Sequence, residues 1–163
     1  MWNKIGTNTI HSTAIVESNV TLGENNVIYP YAVIGLPGFI RDSENAKGIV
    51  TIGDNNKIGS HSSIQCGLNG ETKVGNNNLI MNYVNIGHDV IIGNNNEIGA
   101  ASVVAGWVRI GNNNKIKLSV TIRNRVNIGD NNLIGMSSNV VGDIESNKIS
   151  YGNPSKIIKE NNL

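Results

Sequence analysis

Aliphatic residues return at every sixth position along most of this chain. From Val74 the series runs Ile80, Ile86, Ile92, Ile98, Val104, Ile110, Ile116, Ile122, Ile128, Ile134 and Val140 without a miss. A helix would bring its apolar stripe back about every 3.6 residues and a half-buried strand every second residue, so neither explains a period of six. The fifth residue of each hexad is restricted too, reading Asn78, Val84, Val90, Asn96, Ser102, Val108, Asn114, Val120, Val126, Asn132 and Ser138. Each hexad therefore predicts a short strand and a corner, with its first and fifth side chains pointing inward. The segments "IGNNNEIG" (92–99), "IGNNNKIK" (110–117) and "IGDNNLIG" (128–135) recur at steps of 18, so three hexads close one triangular coil. Stacked coils pair through backbone hydrogen bonds at about 4.8 Å per layer, and each buries its neighbour's aliphatic side chains. Gly and Asn at the corners accept the positive φ of a sharp bend. Asn78, Asn96, Asn114 and Asn132 share one register and predict an internal ladder of amides.

The frame holds upstream at Ile10, Val16, Leu22, Ile28 and Ile34, and again at Ile52, Ile58 and Ile64. It slips twice. Gly23 to Gly53 spans twelve residues more than one coil, and Gly53 to Gly75 four more. Two extruded loops are expected there, at 36–50 and 66–73, and extrusions from a strict repeat usually sit on a binding face. The β-helix is expected over residues 1–150, followed by a tail or short helix at 151–163.

Composition sharpens this picture. Aromatic residues are only 4% of the 163, too few to fill an ordinary globular core. The formal net charge of +1, with scattered basic residues, argues against a nucleic-acid partner or an anionic membrane surface. No apolar run approaches the ~18 residues of a membrane span, and no signal peptide opens the chain. A single cysteine, Cys66, has no intramolecular disulfide partner and fits a reducing, cytoplasmic setting.

A six-residue frame beginning Ile/Val/Leu-Gly, as in "IGDNNKIGSHSSI" (52–64), resembles the hexapeptide-repeat acyltransferases. The ending "IGMSSNVVGDIESNKISYGNPSKIIK" (134–159) is similar to the close of sugar and amino-acid acetyltransferases. Within that family the likeness is nearest to the UDP-N-acetylglucosamine acyltransferases of lipid A synthesis. It is carried by "IHSTAIVE" (10–17), "TKVGNNNLIMNYVNIGHDVIIGN" (72–94) and "VVAGWVRIG" (103–111). Two departures stand out. Asn85 and Trp107 replace expected histidines, and the chain stops soon after Gly152-Asn153-Pro154, where those enzymes continue into a helical domain. Nucleotide-sugar N-acetyltransferases that use acetyl-CoA share such a shorter architecture and the same histidine. The resemblance implies an all-β, left-handed parallel β-helix assembled as a homotrimer with sites between subunits.

His88 is third and Asp89 fourth in the hexad Ile86–Ile91, so both are expected to face out of the solenoid at a corner. One coil later the matching residue is Gly106, and one further it is Asn124. A general base beside a backbone N–H that can hold an oxyanion is what acyl transfer needs. "NIGHD" also matches the register of the catalytic histidine in the resembled family. The expected catalytic set is therefore His88, Asp89 and Gly106, with Asp89 either orienting the imidazole or holding the acceptor's amino group. His11 is read as structural, and His61 as a candidate lining residue of the same cleft.

The resemblance also puts the donor's pantetheine between subunits, against Gly106 and the backbone of later coils. Lys117, Arg123, Arg125, Lys156 and Lys159 are candidates for the phosphates of coenzyme A. Asn85, Gln65, Asp42 and Asn124 are candidates for the acceptor. No metal is expected, because the three histidines offer no close pair of the kind that zinc-holding relatives of this fold use. The favoured activity is acetyl transfer from acetyl-CoA to the amino group of a nucleotide-linked sugar, for surface glycan synthesis. Alternatives are an O-acyltransferase that takes its acyl group from acyl carrier protein and acts on UDP-N-acetylglucosamine, and a non-enzymatic β-helical scaffold.

Overall fold

The computed structural model describes residues 1–38 and 47–162. Asp42, one of the acceptor-binding candidates, lies outside them. The described residues form a left-handed parallel β-helix of about seven triangular coils. Its three faces carry ten, seven and six strands. Most strands are two residues long, such as Asn85–Ile86, which pairs in parallel with Ser63–Ile64 below and Val103–Val104 above. The partner one coil away in the strict part of the repeat is 18 residues distant, as the sequence period requires.

Packing follows the hexad. Ile28, Ile58, Ile80, Ile98, Ile116 and Ile134 stack in a column behind the ten-stranded face, all fully buried. Burying each isoleucine contributes roughly 1.5–3 kcal/mol. The fifth positions fill the corners, with Val84, Val90, Val108, Val120 and Val126 buried. At the third corner, between the six- and ten-stranded faces, the amide ladder is longer than expected. It runs Asn8, Asn26, Asn56, Asn78, Asn96, Asn114, Asn132. Each Oδ1 accepts the backbone N–H of the next coil's asparagine, while Nδ2 of Asn78 and Asn96 donates to the carbonyls of Gly93 and Gly111 at 2.9 Å. The ladder ends where Lys148 N donates to Asn132 Oδ1.

Three expectations are corrected. The first loop ends before residue 49, because Ile49–Ile52 is already a strand between Val20–Leu22 and Glu71–Val74. The second loop likewise ends at residue 70, since Glu71–Val74 pairs along its whole length. Both strands are four residues long where two is the norm, so the return from each loop is absorbed by extra pairing. The tail is not a helix. Lys156–Glu160 folds back antiparallel on Lys148–Tyr151 and caps the ten-stranded face. Trp2–Ile5 caps the opposite end of the same face, antiparallel to Asn8–His11. These antiparallel strands cover both ends of the ten-stranded face, while the other two faces end in parallel strands.

Candidate active site

The second corner joins the seven-stranded face to the six-stranded face, and His88 sits on it between Asn85–Ile86 and Ile91–Ile92. Asp89 takes the left-handed conformation there, with φ of +57°. Asp is among the few residues with a side chain that populate that region readily. The corner's backbone is tied from coil to coil: Trp107 N donates to His88 O at 3.0 Å, and Arg125 N to Gly106 O at 3.1 Å. His88, Gly106 and Asn124 therefore stand one above another.

The histidine projects away from the solenoid core as expected, yet it is only 7% exposed. Three neighbours cover it. Trp107 meets the imidazole edge-on, with ring centres 4.3 Å apart. Gly38, from the first loop, runs across it closely enough that a Cβ there would lie 3.5 Å from Cδ2. Gly106 lies against the ring itself, because a Cβ on it would come within 2.6 Å of Nε2.

Nδ1 of His88 lies 2.9 Å from Asp89 Oδ2. An ionised carboxylate only accepts, so Nδ1 carries the proton and Nε2 of the neutral ring keeps its lone pair. Asp89 is itself held by the second loop and the strand that follows it. Its Oδ2 also accepts from Leu68 N at 3.0 Å, and its backbone N–H donates to Thr72 Oγ1 at 2.8 Å. Of the two roles left open for Asp89, this geometry favours orienting the imidazole. Among the described residues the Gly106 N–H donates to nothing. The corner thus offers a base with a free lone pair, a fixed tautomer and a spare backbone donor one layer away.

Other candidates are partly gathered here. Gln65 sits one coil below, under Gly38, whose missing Cβ would meet its Oε1. Asn85 lies on the outer surface of the adjoining face and donates to Ser63 Oγ at 2.7 Å. Arg123, Asn124 and Arg125 share the corner, and the Arg125 guanidinium lies 4.3 Å over the Trp107 ring. Lys117 does not: it stands at the first corner, between the ten- and seven-stranded faces, beside the strand Lys115–Ile116. Lys156 and Lys159 are on the capping strand. His61 is also displaced from the expected cleft, because its hexad places it at the first corner, stacked between Tyr31 and Tyr83.

Several contributors were not singled out from the sequence. Leu68 and Thr72 hold Asp89, and Arg109 Nη1 donates to the Asp89 carbonyl at 2.6 Å. In the sequence Trp107 stands out only as a departure from the family pattern. Counting registers past the second slip would have found one more neighbour, since the pairing Ile86–Ile64 puts Cys66 one coil beneath His88. Cys66 is buried, and burial pushes its thiol pKa up, with the nearby Asp89 carboxylate adding to the rise.

Known proteins similar in sequence or fold are acyltransferases. Residues 71–106 match the family model described as bacterial transferase hexapeptide (six repeats). An acyl-[acyl-carrier-protein]–UDP-N-acetylglucosamine O-acyltransferase of Rickettsia rickettsii is 43% identical over 83 residues, covering 49% of this chain and 31% of that protein. Its counterpart in Nautilia profundicola is 40% identical over 89 residues, covering 53% and 34%. The chain therefore matches about a third of the length of these relatives. Among solved structures, a UDP-N-acetylglucosamine acyltransferase from Bacteroides fragilis superposes with a TM-score of 0.92 at 30% identity, over 95% of this chain and 62% of that one. A perosamine N-acetyltransferase variant from Caulobacter crescentus, in complex with CoA and GDP-perosamine, shares the fold with a TM-score of 0.63 at 22% identity, over 94% and 57%. Residues 71–106 thus match the hexapeptide repeat, and the parallel β-helix is shared with acyltransferases of known structure.

Proposed function

We propose that this chain is an acyltransferase that moves an acetyl group from acetyl-CoA to the amino group of a nucleotide-linked sugar, with His88 as general base. The observation that carries the reading is the His88–Asp89 pair set against the bare Gly106. Nε2 takes a proton from the incoming amine as its nitrogen attacks the thioester carbonyl. The carbonyl oxygen becomes an oxyanion, for which the Gly106 N–H is the available donor. Collapse of the tetrahedral intermediate forms the amide and expels the CoA thiolate, which the imidazolium then reprotonates. Asp89 keeps the imidazole in the tautomer that starts this sequence.

The shared fold with a CoA-bound nucleotide-sugar N-acetyltransferase supports the donor and acceptor classes. Arg123 and Arg125, on His88's own corner, are placed to meet the donor's phosphates. Lys117 and Lys156 would serve only across a subunit boundary, and in this reading the chain works as a homotrimer. The test is thiol release from acetyl-CoA with a panel of nucleotide-linked amino sugars, beside His88→Ala. Turnover that requires one amino sugar and collapses in the variant supports the reading. Turnover unchanged by the variant overturns it and leaves a β-helical scaffold.

A second reading has its own support in the 43% identity over 83 residues to UDP-N-acetylglucosamine O-acyltransferases. There the same base would activate a sugar hydroxyl and the donor would be acyl carrier protein. Activity with acyl carrier protein and UDP-N-acetylglucosamine, and none with acetyl-CoA, would select it.

A further inference from the structure

The first corner carries a second constellation, apart from His88. Tyr31, His61 and Tyr83 occupy one register on successive coils, all at φ near +60°. Their rings form a continuous parallel stack, with centres 4.9 and 5.0 Å apart and planes inclined by 19° and 3°. Tyr83 is 61% exposed and ends the stack. In the next coil this corner reads Gly99-Ala100-Ala101, so nothing larger than a methyl group stands over the Tyr83 ring. One coil further comes Lys117, stacked over Gly99, because Ile98 pairs with Ile116. Its ammonium makes no ion pair among the described residues. A hollow of about 240 Å³, lined in part by Leu79, Met81, Asn82 and Ala100, opens beside this notch.

We propose that this notch is a binding site for a nucleoside diphosphate: the base continues the ring stack on Tyr83, beside Ala101, and Lys117 meets the phosphates. A planar ring is the occupant that a terminated parallel stack selects, because each base presents a π-face to an aromatic side chain. A base in the Ala101 layer lies one layer from Lys117, about 5 Å at the spacing of stacked strands, and the extended lysine stem adds the rest of the reach to a diphosphate. Lys117 at the far end supplies the charge complement, and Lys57 lines the adjoining hollow. The bases of a CoA-type donor and of a nucleotide sugar share this chemistry, and the site is separate from the His88 corner of the same chain.

The experiment is calorimetric titration of the intact protein with ADP, UDP and GDP, each beside inorganic diphosphate. Tyr83→Ala should weaken binding roughly tenfold or more, the usual loss when a base-stacking ring is removed. Ala101→Tyr should block it by filling the notch, and Tyr31 and Tyr83 show that a tyrosine is accommodated in this register. Lys117→Ala should weaken the nucleoside diphosphates and leave the bare nucleosides unaffected. Preference among the three diphosphates then tells a donor nucleotide from an acceptor nucleotide. Equal binding of inorganic diphosphate overturns the proposal, as does affinity unchanged in Tyr83→Ala and Ala101→Tyr. Loss of oligomer on sedimentation of Tyr83→Ala also overturns it, by making the stack a contact between copies. Binding needs no turnover, so the result stands apart from the reaction proposed at His88.

Discussion

The imidazole of His88 lies against the bare Cα of Gly106, where any Cβ would come within 2.6 Å of Nε2. The absence of a side chain there opens the space that the base occupies. Gly106→Ala should therefore displace the ring while leaving the coil paired. A shift of about an ångström at a reacting group costs roughly a hundredfold in rate. Steady-state thiol release and a far-ultraviolet spectrum together check this, and near-normal kcat would show that the contact is incidental.

Asp89→Asn tests the tautomer. The amide can turn its NH₂ toward Nδ1, which moves the ring proton to Nε2 and removes the base. The expected fall in kcat is about 10² to 10⁴, with little change in KM, in line with the loss of general-base catalysis. A variant as active as the parent would sink the assigned role.

The amide ladder should matter for stability and not for chemistry. Asn96→Leu removes the acceptor for Asn114 N and the donor to Gly111 O, both inside the third corner. Leaving a buried polar group unpaired costs about 1–3 kcal/mol. Urea unfolding should show that loss while acceptor KM stays constant.

Cys66 predicts a stability change in alkali. Burial raises its pKa in the folded chain, so the native state holds the proton more tightly than the unfolded one. The sign follows from that: the contribution is complete below the unfolded thiol's pKa and declines as pH climbs past it. Cys66→Ala should flatten the fall in melting temperature above about pH 9. A disulfide reagent at pH 8 should label the thiol of native protein far more slowly than that of unfolded protein.

The capping strand should loosen at still higher pH. Lys148 bonds to Glu160 across the final hairpin, which raises the lysine's pKa, with Glu145 adding to the effect. A raised pKa means stabilisation that is present below the unfolded value and lost as pH rises through the folded one. Glu160→Gln should give the hairpin amides of residues 156–160 faster hydrogen exchange already at neutral pH, with exchange in the central coils unaltered.

Much of this molecule was readable from its residues alone, for a definite reason. A six-residue period admits one way of burying an aliphatic side chain per strand, and an 18-residue repeat brings Asn78, Asn96 and Asn114 into one vertical line. The same counting stacked Gly106 on His88 without any structure. Register is arithmetic in a solenoid, so whatever depends on register was legible.

What only the tertiary structure decided lies where the arithmetic breaks. The two extrusions have no period, and it is their path that brings Leu68 to Asp89 and lays Gly38 over a histidine expected to stand open. Which corner a residue occupies still follows from the count, since Lys117 stands one hexad before Arg123 and so one corner away from His88's edge. Hexad periodicity determined the scaffold because backbone pairing repeats. The enclosure of the site was left to irregular segments, whose paths depend on contacts between residues far apart in the chain.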